Sequence, residues 1–218
     1  VRTSGSTADI SLAIPTAKQE QQIRNLDYIT TIGTQYMVGS AAMKNEEGRE
    51  LSIVLQYYDS TEWNKHYKEA VSKINGKYPS GENEIMLSED ALSQLGIAEP
   101  KLNMEIPLSY SDKNGQKENT FILSGWFHSY TGIGMGFVSE AYCKNAGYTM
   151  AEDGVLSLSM EKMPEDFFRI QKDVVLNENQ SFSGSVSLKT SNGSIIAMLI
   201  LFLFFIIICR ELLLFHMA

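Results

Sequence analysis

Apolar and polar residues alternate in the middle of the chain. From Lys101 to Tyr110 every second residue is apolar, and a second alternating run extends from Phe121 to Phe127. Such alternation is typical of strands with one buried face. The Asn114-Gly115 pair between the runs favours a tight turn. These residues predict a β-hairpin, in which Pro107 marks an edge strand or a bulge.

Shorter runs of apolar, β-branched and aromatic residues predict further strands on both sides of this hairpin. These runs cover residues 28–32, 35–40, 51–58, 136–139 and 155–160. Residues 1–11 are small and polar, which is typical of a strand or a linker.

Five segments carry helix signals. They are the stretch from Pro15 to Leu26, the stretch from Asp59 or Ser60 to Gly76, a short helix capped by Ser88 that ends at Gly96, residues 140–146, and a helix that opens at Pro164. The second segment has an apolar stripe formed by Trp63, Tyr67, Ala70, Val71 and Ile74, and Asn75-Gly76 as a left-handed stop.

The order of these elements predicts a mixed α+β fold. Two or three βαβ-like strand–helix units would be interrupted by a β-rich insert at about residues 82–128. We expect residues 1–190 to form one domain, of which residues 177–190 are polar and Ser-rich and predict a stalk.

The most apolar part of the chain follows this stalk. Ile195–Cys209 contains no polar side chain, and after Arg210 and Glu211 the apolar run continues to Phe215. These 21 residues are long enough to span a bilayer. We expect residues 191–215 to form the end of the stalk and a transmembrane helix, with Arg210 off-centre, where a charge costs less.

The charges around this helix predict its orientation. Arg210 and His216 follow it, and basic residues favour the cytoplasmic side. Residues 216–218 would then begin a cytoplasmic segment, and residues 1–190 would lie outside the cell membrane. Because the chain starts at Val1 without a signal peptide, we expect it to be an excerpt of a longer protein.

The composition narrows the classes of partner. The formal net charge is −8, which disfavours nucleic-acid binding because phosphate backbones are repelled. The first interpretation of the acidic residues is a solvated surface. The second is a surface that attracts a cationic ligand. With only Cys143 and Cys209, the second inside the apolar run, we expect neither a disulfide nor a zinc site.

No pattern in the sequence points to catalysis. Ser88, Ser124 and Ser139 lack the context of an activated nucleophile, and Ser88 fits a helix cap better. The glycines between residues 132 and 136 do not match a dinucleotide loop, and the acidic clusters do not match a calcium loop. We therefore expect no catalytic residue, no cofactor and no metal.

One aromatic corner is a candidate surface. Trp126, Phe127 and Tyr130 stand close together, next to a glycine-rich link. Packing in the core is the first interpretation of these side chains. A patch that faces a peptide or a lipid is the second.

The stretch from Gly76 to Ile97, which reads GKYPSGENEIMLSEDALSQLGI, resembles the extracytoplasmic domain of FtsX/MacB-like ABC transporter permeases. In that family a similar phrase precedes a short helix, an alternating hairpin, and phrases like Phe121–Phe127 and Phe137–Glu140. The resemblance extends from about Thr16 to Phe215. One departure is that Leu102-Asn103 stands where the family has a glycine before the strand.

The resemblance implies a function without catalysis in this chain. It implies a permease that dimerises with a second permease subunit and pairs with a cytoplasmic ABC ATP-binding subunit, whose ATP hydrolysis drives export or mechanical work outside the membrane. The partner outside would be a peptide, a lipid or a protein, and Arg210 and Glu211 would contact neighbouring helices. The alternative is a single-pass, membrane-anchored module that senses a ligand such as a cationic peptide.

Overall fold

The computed structural model describes residues 6–44, 48 and 50–184. Within these residues, ten strands form one mixed sheet. The strands are β1 (Ile10–Ala13), β2 (Ile29–Lys44), β3 (Glu50–Tyr58), β4 (Val71–Gly76), β5 (Glu84–Ser88), β6 (Glu105–Asp112), β7 (Gly115–Ser129), β8 (Gly134–Val138), β9 (Gly154–Met160) and β10 (Phe182–Ser183).

The spatial order of the strands is β10-β1-β9-β2-β3-β8-β5-β7-β4, and β6 pairs with β7 and with β2. Most neighbours are antiparallel, whereas β3 pairs with β8 and β5 pairs with β7 in parallel. The two strands predicted at residues 28–32 and 35–40 are one strand of 16 residues. The first half of β2 pairs with β9 and the second half with β3, so this strand joins the two sides of the sheet.

The helices are short. They are α1 (Ala17–Arg24), α2 (Glu89–Gln94), α3 (Glu140–Asn145), α4 (Met150–Asp153) and α5 (Glu165–Asp173), together with a π-helix (Glu62–Tyr67) and a 3₁₀ turn (Lys68–Ala70). In α1 the predicted start is wrong by two residues, because Thr16 is the N-cap and forms a capping box with Gln19, so Pro15 precedes the cap. The predicted cap Ser88 is confirmed, and Ser139 caps α3 in the same way.

The helix predicted from Asp59 to Gly76 is wrong in its second half. After the π-helix and the 3₁₀ turn, the chain becomes β4, an edge strand that pairs with β7. Val71 and Ile74 fit either a helical stripe or a β-branched strand, and pairing with β7 satisfies the backbone of this segment. The pairing has a bulge around Lys73, whose φ is 48°, and a bulge of this kind protects an edge strand from further pairing.

The predicted hairpin is confirmed, although its first strand begins later than predicted. β6 starts at Glu105, and Leu102 lies outside the sheet with 48% of its surface exposed. Asn103 has a φ of 66°, a left-handed conformation that asparagine tolerates better than most residues. Pro107 pairs with Thr120, at a stretch of β6 whose other side meets no strand within the described residues.

Three apolar clusters hold the fold together. The first packs α1 and α5 on β1 and β9, and includes Ile23, Leu158 and Ile170. The second packs α2 and α3 against β3, β5, β6, β7 and β8. The third is rich in aromatic residues and lies around the π-helix; it contains Tyr58, Trp63, Tyr67, Val71, Met86, Phe127 and Phe137.

The prediction of a mixed strand and helix fold is confirmed for the described residues. Residues 82–128 form β5, α2, β6 and β7, and these strands belong to the same sheet as the rest. No helix in the described part of the chain is long and apolar enough to cross a membrane. The transmembrane helix predicted at Ile195–Phe215 lies outside the described residues, as do residues 185–190 of the predicted stalk.

Candidate functional site

A groove lies beside the predicted aromatic corner. The helix α2, the turn that follows it and the strand β7 enclose about 530 Å³. Leu92, Ile97 and Pro100 supply apolar contacts, and the half-buried ring of Trp126 forms a wall. A mixed apolar and aromatic groove of this size can accept a short segment of a partner.

Polar groups continue this wall along β7. His128 lies two residues after Trp126 and on the same face of the strand, and its Nδ1 is 2.6 Å from Glu89 Oε2 on α2. The ring of Tyr130 meets that of His128 edge-on, with 4.9 Å between the centroids. The Tyr130 hydroxyl donates a hydrogen bond of 2.9 Å to Ser72 Oγ on β4. Trp126, His128 and Tyr130 thus form one aromatic strip, which we call the β7 strip.

Phe127 belongs to the core and not to this surface. Alternation along β7 turns its side chain to the opposite face, where none of its surface is exposed. There its ring packs 5.6 Å from Phe137 and 6.2 Å from Trp63. Of the three aromatic residues predicted as a surface, only Trp126 and Tyr130 remain accessible to a partner.

The phrase from Gly76 to Glu84 has a structural role. Gly76 ends an edge strand, not the predicted helix, and a Cβ at this position would overlap the backbone of Ser124 and Gly125. Lys77 N donates to Ser124 O at 2.9 Å, while the Ser124 hydroxyl is 3.1 Å from both Lys77 O and Ile85 O. Two backbone segments therefore approach closely, which only glycine permits here.

Glu84 closes the loop that precedes β5. Its Oε2 accepts hydrogen bonds from the backbone amides of Ser80 at 2.7 Å and Gly81 at 2.9 Å, and Lys77 Nζ lies 3.3 Å from its Oε1. Hydrogen bonds from the amides of Gly81 and Ser80 are the main reason why the pKa of this carboxyl is lowered to about 2. The charged carboxylate thus organises its own loop.

A buried polar cluster that the sequence analysis missed lies under the π-helix. Glu62 Oε2 is 2.7 Å from His66 Nδ1, and both residues are 1% exposed. His66 Nε2 is 2.7 Å from Thr31 Oγ1 and 3.1 Å from Ser159 Oγ. The i, i+4 spacing of Glu62 and His66 could have indicated the pair, whereas Thr31 and Ser159 come from distant strands.

This cluster has the order of a Ser-His-acid triad but not the access of one. Two hydroxyl groups share the same imidazole nitrogen, and the ring is enclosed on all sides, so no substrate can reach it. The three serines considered from the sequence are also occupied. Ser88 and Ser139 accept amides at the starts of α2 and α3, and Ser124 bridges two backbone segments.

The remaining candidates are the Cys143 thiol, the acidic clusters and the pair Arg210 and Glu211. Burial raises the pKa of the Cys143 thiol to about 12, which keeps it protonated and inert. Among the described residues, no group of three acidic, histidine or cysteine side chains could hold a metal ion. The pair Arg210 and Glu211 lies outside the described residues.

Comparisons with known proteins bear on the fold. No protein-family model matches the chain, and no curated protein matches it in sequence. The extracellular domain of the noncanonic ABC-type transporter YknZ from Gram-positive bacteria has a TM-score of 0.50 and 10% identity, over 75% of this chain and 88% of that domain. The periplasmic region of MacB from Actinobacillus actinomycetemcomitans has a TM-score of 0.53 and 7% identity, over 84% of this chain and 92% of that region.

The chain has the fold of the YknZ extracellular domain and the MacB periplasmic region. The resemblance read from residues 76–139 is therefore confirmed at the level of the fold. Because the identities are 7% and 10%, the similarity places the strands and helices and does not transfer individual residues.

Proposed function

We propose that residues 1–190 are the extracytoplasmic domain of an ABC transporter permease subunit. The domain couples ATP hydrolysis in a cytoplasmic subunit to export, or to mechanical work on a partner outside the membrane. The observation that carries this proposal is the similarity of the fold to the extracellular domain of YknZ and the periplasmic region of MacB. The apolar run Ile195–Phe215 supports the attachment to a membrane.

The described residues offer a route for the coupling. β10 pairs with β1, and just before it Gln180 Nε2 donates a hydrogen bond of 2.7 Å to Ile14 O. The buried Gln19 amide in turn donates to Gln180 Oε1 at 2.8 Å. In this proposal, a movement of the transmembrane helix is passed through the segment around Gln180 to β1 and α1.

The proposal names three kinds of partner. A cytoplasmic ABC ATP-binding subunit supplies the energy, and a second permease subunit completes a dimer in the membrane. The third partner is a peptide, a lipid or a protein outside the membrane, on which the transporter acts. We assign Trp126 and Tyr130 to the surface that contacts this outside partner, because Trp126 lines the groove next to α2 and Tyr130 continues the β7 strip through its contact with His128.

Copurification of other proteins with the full-length chain tests this proposal. We expect an ATP-binding-cassette subunit to copurify from membranes in mild detergent and to be identified by mass spectrometry. A preparation that contains the chain alone, or the chain with a protein kinase only, would contradict the permease function.

A ligand-sensing module anchored by a single helix is the second candidate. The groove beside Trp126 favours it, because a groove with a carboxylate from Glu89 can bind a ligand without any transport. A cationic peptide that binds the purified chain, with no ATP-binding subunit in the membrane complex, would favour this candidate over the permease.

A further inference from the structure

A second pocket shares no residue with the groove beside Trp126. It lies between the end of β3, the π-helix, the loop after β4 and the helix α3, and its volume is about 410 Å³. Pockets that bind ligands in proteins usually measure about 300–1,000 Å³. The sequence phrase around Tyr78 and Pro79 forms one side of this pocket, which we call the aromatic pocket.

The walls of the aromatic pocket are rigid. Tyr57 and Tyr58 come from β3, Trp63 from the π-helix and Tyr78 from the loop. The Trp63 and Tyr78 rings are 4.8 Å apart, and the Tyr58 amide donates a hydrogen bond of 2.8 Å to the Tyr78 hydroxyl. Behind them Phe137 packs 5.3 Å from Trp63. The pocket is therefore formed before any ligand arrives, which reduces the entropic cost of binding.

Two donors in these walls are unused. Trp63 is 7% exposed and Tyr57 is 8% exposed, yet neither the Trp63 indole N–H nor the Tyr57 hydroxyl has a hydrogen-bond partner among the described residues. Neither polar atom is among the fully enclosed side-chain atoms that lack a partner in the described residues, so both donors are open to solvent. Both residues line the pocket, and their donors are available to a ligand that brings acceptors.

The polar and charged side chains at the rim are already paired. Glu140 Oε1 is 2.7 Å from Lys144 Nζ, and Asn64 Nδ2 donates to Ser60 O at 2.7 Å. An aromatic cage for a quaternary ammonium group needs an open face of negative potential. The paired carboxylate and the lysine at the rim disfavour such a cation. The ligand is therefore expected to be neutral, with acceptors and flat apolar groups.

A proline-rich segment matches these requirements. In the polyproline II conformation the backbone makes no internal hydrogen bonds, so its carbonyl groups are free acceptors. Proline brings no N–H donor, and its ring packs on aromatic side chains. We propose that the aromatic pocket binds a proline-rich segment of a partner protein in the polyproline II conformation, with Trp63 and Tyr57 donating to its carbonyl groups.

Binding of a decaproline peptide to the full chain in detergent tests this proposal. The probe carries fluorescein, and binding is followed by fluorescence anisotropy. We expect saturable binding of decaproline and none of a glycine–serine decapeptide. Tyr57→Phe removes one hydrogen bond and should weaken binding about five-fold. Trp63→Phe should weaken it about ten-fold or more, because it removes a donor and part of the aromatic wall.

Two controls keep the result interpretable. Tyr36→Phe alters a ring 5.4 Å from Tyr57 that does not line the pocket, so it should leave the affinity unchanged. Trp126→Phe leaves Trp63 as the sole tryptophan, and its emission should shift with the same saturation curve as the anisotropy. Equal affinity in Tyr57→Phe and Trp63→Phe, no saturable binding of decaproline, or a Trp63 response to choline instead would overturn the proposal.

Discussion

The carboxylate of Glu84 shows how one residue sets a loop. It binds two backbone amides of the segment that leads into β5, and its pKa falls from the ordinary 4.5 to about 2. A carboxyl whose pKa is lower in the folded state stabilises the protein above pH 4.5. This contribution is lost as the pH falls from 4.5 towards 2.

Glu84→Gln should therefore lower the free energy of unfolding by about 1–2 kcal/mol at pH 7. The difference from the unchanged protein should shrink below pH 4.5 and vanish near pH 2. Urea unfolding at a series of pH values measures it. Glu82→Gln, at an exposed position in the same loop, is the matched control and should have no such pH dependence.

Ser88 is a second residue whose side chain stabilises the fold locally. Its fully buried Oγ accepts the amide of Ala91 at 3.1 Å and that of Met135 at 3.0 Å. Ser88→Ala leaves both amides without an acceptor and should cost about 2 kcal/mol of unfolding free energy. Ser93→Ala, on an exposed face of α2, should change it by less than about 0.5 kcal/mol. Equal unfolding midpoints for the two variants would contradict this role.

At this scale the sequence is informative where chemistry is local. Ser88 was predicted as a cap because its bond joins residues three apart. The acceptors of the Ser124 hydroxyl, Lys77 O and Ile85 O, are 47 and 39 residues away, so its role was not predictable. Phe127 shows the same limit, because alternation in β7 decides which face each aromatic residue takes.

Among the elements, the π-helix contributes side chains both to the buried polar cluster and to the aromatic cluster. Its wide turn places Glu62 and His66 against β2 and β9, while Trp63 and Tyr67 enter the aromatic cluster. A Cβ on Gly33 of β2 would overlap Glu62, so the strand approaches this helix closely. Elements of this kind are frequent at functional sites. The aromatic pocket is bordered by the same π-helix.

The pair in this helix should be strongly coupled. Glu62→Leu or His66→Leu alone leaves one buried group without its partner and should cost about 3–5 kcal/mol. The double variant should cost clearly less than the sum of the two. A double-mutant cycle by urea unfolding measures the coupling, with Glu69→Leu as an exposed control. Additive single and double variants would argue against a coupled pair.

At the scale of elements, partners distant in the chain decide what a local pattern leaves open. Residues 59–76 carry a helical stripe, yet the choice between helix and strand after Ala70 depends on β7, which lies more than 45 residues later. The residue pattern predicts two short strands at residues 28–32 and 35–40, whereas pairing with β9 and then with β3 makes them one continuous strand, β2. Local pattern predicts that an element exists, and long-range pairing decides its type and length.

For the whole molecule, the order of strands could not be read from the sequence. Parallel pairing of β3 with β8 and of β5 with β7 interleaves distant parts of the chain in one sheet. The phrase from Gly76 to Ile97 nevertheless indicated the MacB-like fold, through its resemblance to the corresponding phrase of that family. The groove and the aromatic pocket arise only after the sheet is assembled.

At the same scale, Arg210 and Glu211 are predicted to contact neighbouring helices. A charged pair within an apolar run is costly in lipid, so a place between helices suits it better. Replacing both by Leu should disturb assembly or coupling, and transport by the full-length protein measures this. The single variant Cys209→Leu is the control at the adjacent position. Transport unchanged by the double substitution would refute the assignment.

The most direct measurement is ATP hydrolysis by the full-length protein, purified from membranes through a tag and placed in lipid. The proposed permease function predicts steady hydrolysis by a copurified ATP-binding-cassette subunit, lost when that subunit is removed. A pure preparation without such a subunit and without ATP hydrolysis would contradict the function proposed for this domain.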